Sequence, residues 1–252
     1  MDKRNETVME TRRREYAAAG VKPLEWRLYP IESISKLFVN SLKLGVIAPE
    51  TYEPSTAATL RGAKLAMWQL EETRRLFTRL AEEGRELPLV VISMSLKMFL
   101  GKTAKRAFSD FLSELSATEA GKICFAFTGE VLFMDAGDLN LKLEEAREKG
   151  LKTALVGYGE EYCPPLRLKG LKFDYIFFAP EFSCALERRE ADARALAGLA
   201  DAVGFVTVAQ LFKSGKYFPP ESFPRPEDDY PADYFVGGTG IPAESLFGED
   251  SA

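Results

Sequence analysis

Short, nearly continuous apolar runs recur along the middle of the chain. They cover Leu87–Ser95, Lys122–Thr128, Lys152–Val156, Phe173–Phe178, Gly204–Ala209 and Asp233–Val236. β-Branched and aromatic residues dominate these runs. Segments of this length and composition predict strands covered on both faces, as in a parallel sheet. The stretches between most of them follow a helical period instead. In Ala57–Glu83 the apolar positions Leu60, Ala63, Met67, Leu70, Phe77 and Ala81 share one face, with Arg and Glu opposite. Phe108, Phe111, Leu112 and Leu115 form the stripe of the next helix. Leu139–Lys149 stops at Gly150, a residue suited to the left-handed turn that ends a helix. Phe182–Ala202 is rich in Ala, Leu, Glu and Arg and reads as one further helix.

Repeated strand–helix units imply an α/β fold with a parallel sheet and right-handed crossovers. In a chain of 252 residues this favours closure into a single-domain, modified TIM-type (β/α)8 barrel over an open doubly wound sheet. No GxGxxG opens a helix after a strand, which weighs against a dinucleotide-binding sheet. Residues 1–20 read as a polar N-terminal extension, 21–247 as the barrel and 248–252 as a disordered acidic tail. Phe218–Pro231 carries Pro219, Pro220, Pro224, Pro226 and Pro231. That density of proline forbids a helix where the alternation calls for one.

Composition narrows the chemistry. The net charge is −5, from 33 basic and 38 acidic side chains, so nothing electrostatic points to nucleic acid or an anionic membrane. The chain has no histidine, which excludes imidazole-based catalysis and most zinc chemistry. Cys124, Cys163 and Cys184 lie far apart without CxxC spacing and read as reduced thiols, with Cys124 in the core. Cys163 precedes Pro164-Pro165 with no histidine to activate it, and reads as an inert loop thiol. No stretch reaches the roughly 20 apolar residues needed to span a bilayer, and no signal peptide is evident. The expected location is the cytoplasm.

In an α/β barrel, chemistry sits at the C-terminal ends of the strands. Here those ends hold Ser93, Thr128, Gly129, Val156, Gly157, Ala179, Gln210 and Val236. A two-metal hydrolase needs converging carboxylates, because hard cations require anionic oxygen. Glu130, Glu160 and Glu161 are the acids near these ends; Glu160 and Glu161 read as solvated in a loop, and Glu130, past the end of its strand, reads as a cap for the segment after it.

The order of segments resembles the EAL domain family of cyclic di-GMP phosphodiesterases. Trp26–Ile31 (WRLYPI) is similar to that family's opening strand with its YQPI. Pro49–Pro54 (PETYEP) resembles PxEFIP, Val91–Ser95 (VISMS) resembles the VNLS strand, and Lys152–Gly159 (KTALVGYG) resembles RIALDDFG. Leu199–Gln210 is similar to the segment leading into AEGVE. Asp233–Glu244 resembles the closing DYVQG strand and PLPAEE. The resemblance implies a barrel of the EAL kind from about Leu24 to Leu246.

It also implies where the family's functional residues fall. The Glu of the EAL triplet falls on Asn40 and the metal-binding Asn of VNLS on Ser93. The two Glu positions of EITE fall on Ala126 and Gly129, and the paired aspartates on Val156 and Gly157. The Lys and Asp of KID fall on Phe177 and Ala179. The proposed general base of AEGVE falls on Gln210, and the closing-strand Gln on Val236. The expectation is therefore a degenerate barrel with no catalytic residues, no cofactor and no Mg/Mn site. Without metals, nothing acidifies a water or neutralises charge on phosphate.

Three readings of function result. The first is a catalytically inactive EAL-like module acting through an unknown protein partner in bacterial signalling. Its candidate interaction loop carries Tyr217, Phe218, Phe223 and Tyr230, with the aromatics packing back on the barrel as the simpler alternative. The second is a receptor that binds cyclic di-GMP without hydrolysis. The third is an active phosphodiesterase.

Overall fold

All six apolar runs are strands in the computed structural model, which describes residues 27–33, 45–47, 63–94, 110–159, 168, 170–210, 230–236 and 241–242. The strands are β1 (Arg27–Ser33), β2 (Gly45–Ile47), β3 (Leu89–Ser93), β4 (Ile123–Thr128), β5 (Lys152–Tyr158), β6 (Tyr175–Phe178), β7 (Val206–Gln210), β8 (Tyr234–Val236) and β9 (Ile241–Pro242). The short β2 and β9 carry too few apolar residues to stand out in the sequence. The helices are α1 (Ala63–Glu82), α2 (Ala117–Ala120), α3 (Ala136–Glu148), α4 (Pro180–Glu187) and α5 (Ala191–Val203). A 3-10 turn, Gly129–Phe133, follows β4. Residues 110–113 are also helical; Phe111 is buried, and Leu112 and Leu115 pack on the core. Among the described residues, no helix is long and apolar enough to cross a membrane.

Strands β2 to β8 pair in parallel and in chain order. Strand β1 then closes the ring. It runs antiparallel to β2 through Tyr29↔Ile47 and antiparallel to β8 through Ile31↔Val236. The ring is thus a modified TIM-type barrel, α/β in class, with one reversed strand. Strand β9 pairs with the start of β1, where Leu28 faces Ile241. The six runs read as parallel strands, β3 to β8, do pair in parallel, and the reversed β1 is what makes the barrel a modified one. Strand periodicity reports which side chains are buried and carries no information on strand direction.

Alternation along each strand sorts the core into two clusters. The inner one fills the barrel with Ile31, Val91, Cys124, Ala126, Ala154, Phe177, Val208 and Val236. The outer one joins the other strand face to the helices; Ile92, Phe125, Phe127 and Ile176 meet Leu70, Phe77 and Leu80 of α1 and Leu139 and Leu143 of α3. The buried stripe of α1 runs on through Thr73, Leu76 and Leu80, while Ala81 is exposed. The 3.6-residue turn favours Leu80 over Ala81.

The N-terminal ends of the strands are stitched by a device used twice. The carboxylate of Asp174 accepts from the backbone N–H and hydroxyl of Thr153 at 2.9 and 3.1 Å. That of Asp233 accepts from the same two groups of Thr207 at 2.8 and 2.9 Å. Each aspartate stands just before a strand and grips the beginning of the preceding one. Both threonines are buried. Hydrogen bonds to a charged acceptor contribute about 1.5–3 kcal/mol each, so these clamps hold the bottom of the barrel shut.

Three helices end on glycine in a left-handed turn. At the end of α3, Gly150 has φ +85°; its N–H donates to Arg147 O, and Leu151 N–H donates to Ala146 O. Gly84 and Gly204 close α1 and α5 in the same way. The stretch Phe182–Ala202, expected as one helix, is instead two, α4 and α5. The break at Arg188–Glu190 has the same hydrogen bonds, Arg189 N–H to Leu186 O and Glu190 N–H to Ala185 O, but Arg189 supplies the positive φ of 58°. With neither Gly nor Pro there, the sequence carries no break signal. An L side chain in this conformation is strained by about 1 kcal/mol. Arg189→Gly is therefore expected to raise stability by about 0.5–1 kcal/mol in urea titration.

The inner cluster also holds two acids that resist ionisation. Burial pushes the Cys124 thiol well above its ordinary value of 9.0, with Asp174 adding to the effect. Burial, then Cys124 and Asp174, pushes Tyr175 from 10.0 up to about 12. The unfolded chain releases these protons at their ordinary values, before the folded one does. Stability is therefore full at neutral pH and falls as pH rises above about 9–10 toward 12. Tyr175 is part-solvated, so its share is about 1–2 kcal/mol. Thermal midpoints measured from pH 8 to 11.5 are expected to fall in the native chain and to fall less in Tyr175→Phe.

Candidate functional site

The C-terminal mouth of the barrel is where the strands deliver their last inward side chains. Alternation places Ser93, Ala126, Val156, Phe177, Gln210 and Val236 on that inward face, in step with Val91, Cys124, Ala154, Tyr175, Val208 and Tyr234. The register brings them together. Ser93 lies opposite Ala126, Val156 opposite both Thr128 and Phe177, and Val236 opposite both Gln210 and Ile31. Phe177 is only 1% exposed, so its ring is enclosed by the inner cluster beside Val208. Ala126 and Val236 are buried with it, and Val156 packs against them. Among the described residues on this face, polar groups stand at the outer lip. Ser93 and Thr128 are exposed and Gln210 is half-buried.

Three more of the positions singled out in the sequence lie just off this face. Gly129 starts the 3-10 turn beyond Thr128. Ala179 caps α4 and is buried in the outer core. Gly157 sits in a bulge of β5, where the pairing with β6 steps from Val156↔Phe177 to Tyr158↔Phe178. Its φ is +87°, a conformation glycine adopts at little cost. This bulge decides what the mouth contains. Strict alternation would aim Val156 and Tyr158 the same way. The extra residue lets Val156 stay inside while Tyr158 swings out to the helical layer.

There Tyr158 is fully buried and packs on the rings of Phe178 and Phe182, at 5.8 and 5.7 Å between centroids. Its hydroxyl donates to Leu196 O of α5 at 2.9 Å. Tyr158 thereby ties the end of β5 to α4 and α5. Gly159 follows with φ +94° and lies against Phe182; a Cβ there would come within 2.4 Å of the ring.

Among the described residues, the acids stand away from the mouth interior. Glu130 is exposed on the 3-10 turn and Glu181 is exposed in the first turn of α4. Asp174 and Asp233 belong to the opposite end of the barrel. Among the described residues, no three Cys, Asp or Glu side chains gather closely enough to hold a metal ion. Asn40, Glu160, Glu161, Cys163, Tyr217, Phe218 and Phe223 lie outside the described residues. Tyr230 is described, and it turns inward. It packs on the outer core, and its hydroxyl donates to Ser183 O at 3.0 Å. The simpler expectation for the loop aromatics therefore holds at this residue. Ser183 itself went unremarked in the sequence, since a serine inside an Ala-rich helix carries no signal of burial.

The family model of the EAL domain matches residues 38–214. The chain belongs to the EAL domain family. No match emerges among curated proteins. Solved structures share the fold. The EAL domain of Mycobacterium smegmatis DcpA superposes with a TM-score of 0.65 at 17% identity, covering 88% of this chain and 93% of that one. The PaMucR phosphodiesterase in complex with c-di-GMP gives 0.63 at 17% identity, covering 89% and 93%. Vibrio cholerae LapD S helix-GGDEF-EAL, bound to c-di-GMP, gives 0.63 at 13% identity, covering 90% of this chain and 55% of that one.

Within this EAL barrel the end of β5 depends on close backbone approach. Gly159→Ala is expected to lower stability by more than about 2 kcal/mol, since it combines a left-handed Cβ with overpacking against Phe182. Gly170→Ala is the control: φ is +83°, but nothing lies within 4 Å of the added carbon. Its cost is expected to be about 1 kcal/mol in the same urea titration.

Proposed function

We propose that this chain is a non-catalytic EAL barrel that works through contacts with another protein. The observation that carries the reading is the filled mouth. Ala126, Val156 and Phe177 stand side by side where the family resemblance puts two metal-ligating acids and a lysine. Methyl groups and a phenyl ring offer no lone pairs to a divalent cation, so these side chains do not fit the family's Mg or Mn pair. These three side chains can neither lower the pKa of an attacking water nor offset charge on the phosphate. Phe177 further fills interior volume where a polar cavity would have to open. Solvated Glu130 and Glu181 face competition from water for any cation and do not converge on the interior.

A second reading is a receptor that binds cyclic di-GMP without cleaving it. Ser93, Thr128 and Gln210 support it, because they leave hydroxyl and amide groups on the lip of the mouth. Hydrogen bonds alone would then have to hold a dinucleotide carrying two phosphates.

One pair of measurements separates the readings. Purified chain incubated with cyclic di-GMP and Mg²⁺ or Mn²⁺ is expected to give no linear dinucleotide above a no-protein control. Calorimetry with cyclic di-GMP is expected to show no heat of binding at micromolar concentrations. Binding without turnover would favour the receptor reading. Metal-dependent turnover that is lost on Gln210→Ala would end the non-catalytic one.

A further inference from the structure

Helix α4 carries a buried serine whose hydrogen bonds serve more than its own helix. Ser183 is fully buried. Its hydroxyl donates to Ala179 O at 3.0 Å and accepts from the backbone N–H of Gln210 at 3.0 Å. Its carbonyl accepts from the Tyr230 hydroxyl at 3.0 Å. Gln210 and Tyr230 are the residues that immediately precede and follow segment 211–229, which contains four of the five closely spaced prolines. Both ends of that segment are therefore fastened to one residue of α4.

We infer that Ser183 is a positioning residue that anchors both ends of the proline-rich segment to the barrel. The hydroxyl makes one donor and one acceptor bond, and alanine would remove both. Gln210 N–H would then lie next to a methyl group with no oxygen to accept it. Such an orphaned amide is costly, and the end of β7 would open to find water. The Tyr230 bond is independent of the hydroxyl, because it uses the backbone oxygen. The two ends can therefore be released separately, by Ser183→Ala at the first and Tyr230→Phe at the second.

The same helix also packs against the rim at the end of β5. Phe182, the residue before Ser183, packs on Tyr158 at 5.7 Å and lies against Gly159. Adjacent residues of one short helix thus hold the base of the segment on one side and the end of β5 on the other. This arrangement stands whether or not the mouth has kept any chemistry, and its test reads no activity.

Amide hydrogen exchange followed by mass spectrometry provides that test. In Ser183→Ala, exchange at Gln210, read from overlapping peptides that begin at least two residues before it, is expected to speed up by about tenfold or more, with peptides from β4 and β5 unchanged. In Tyr230→Phe, the acceleration is expected at residues 230–233, with Gln210 still protected. Ser183→Thr keeps the hydroxyl and is expected to retain protection at Gln210. Equal acceleration across all strands in Ser183→Ala would mark Ser183 as an ordinary core residue and overturn the inference. Unchanged exchange at both ends would overturn it as well. If Ser183→Ala does not fold, Ser183→Cys, whose thiol is a weak acceptor, takes its place: faster exchange confined to Gln210 supports the anchor at that end, and no change there refutes it.

Discussion

Every strand in a closed ring delivers alternate side chains into one interior of limited width, and this shared volume governs the rest of the molecule. Small residues on some strands make room for large ones on others. Cys124, Ala126 and Ala154 on β4 and β5 leave the space that the Phe177 ring occupies from β6. The bulge at Gly157 belongs to the same accounting. A second large side chain from β5 would compete with Phe177, and the bulge sends Tyr158 outward, where it completes an aromatic group with Phe178 and Phe182. The proposed loss of metal chemistry is thus a statement about how the interior is filled, as well as about which acids are missing.

Much of this was legible in the sequence, and the physical reasons for success and failure are specific. Strands β3 to β8 announced themselves because they are covered on both faces and read as unbroken apolar runs. Gly150 announced the end of α3 because only glycine takes the left-handed turn at little cost. The direction of β1 left no trace, since hydrophobicity reports depth and not polarity of the chain. The helix break at Arg189 left none either, because a non-glycine residue there tolerates the strain. The family positions on the mouth were read from motif spacing, and six of them do share the inward face. The inversion at Tyr158 was hidden, because a bulge is a one-residue change of pairing that a two-residue period does not register.

The aromatics near the C-terminal prolines show how an exposed-looking motif acquires a structural meaning. Proline limits the freedom of a segment, which lowers the entropy lost when it docks on something. Tyr230 docks on its own barrel. Its ring joins the outer core and its hydroxyl finds the Ser183 carbonyl. That contact is intramolecular and always at hand, so an external partner proposed for this region would have to use Tyr217, Phe218 or Phe223 and leave Tyr230 in place.

The contacts that hold this barrel together are separable from those at its mouth. Two polar clamps lie at the N-terminal ends of the strands, where Asp174 and Asp233 hold Thr153 and Thr207. The bulk of apolar burial lies in the outer layer between strands and helices. Neither depends on the mouth. Clustered carboxylates in a metal site repel one another and resist desolvation when the metal is absent, so replacing them by Val and Ala removes a strain from the unliganded fold. Filling the space with Phe adds dispersion and apolar burial. On this reasoning, an apolar mouth adds stability that a mouth under demand for metal catalysis would forgo. An EAL chain freed of that demand is expected to drift toward an apolar mouth while its N-terminal clamps stay as they are.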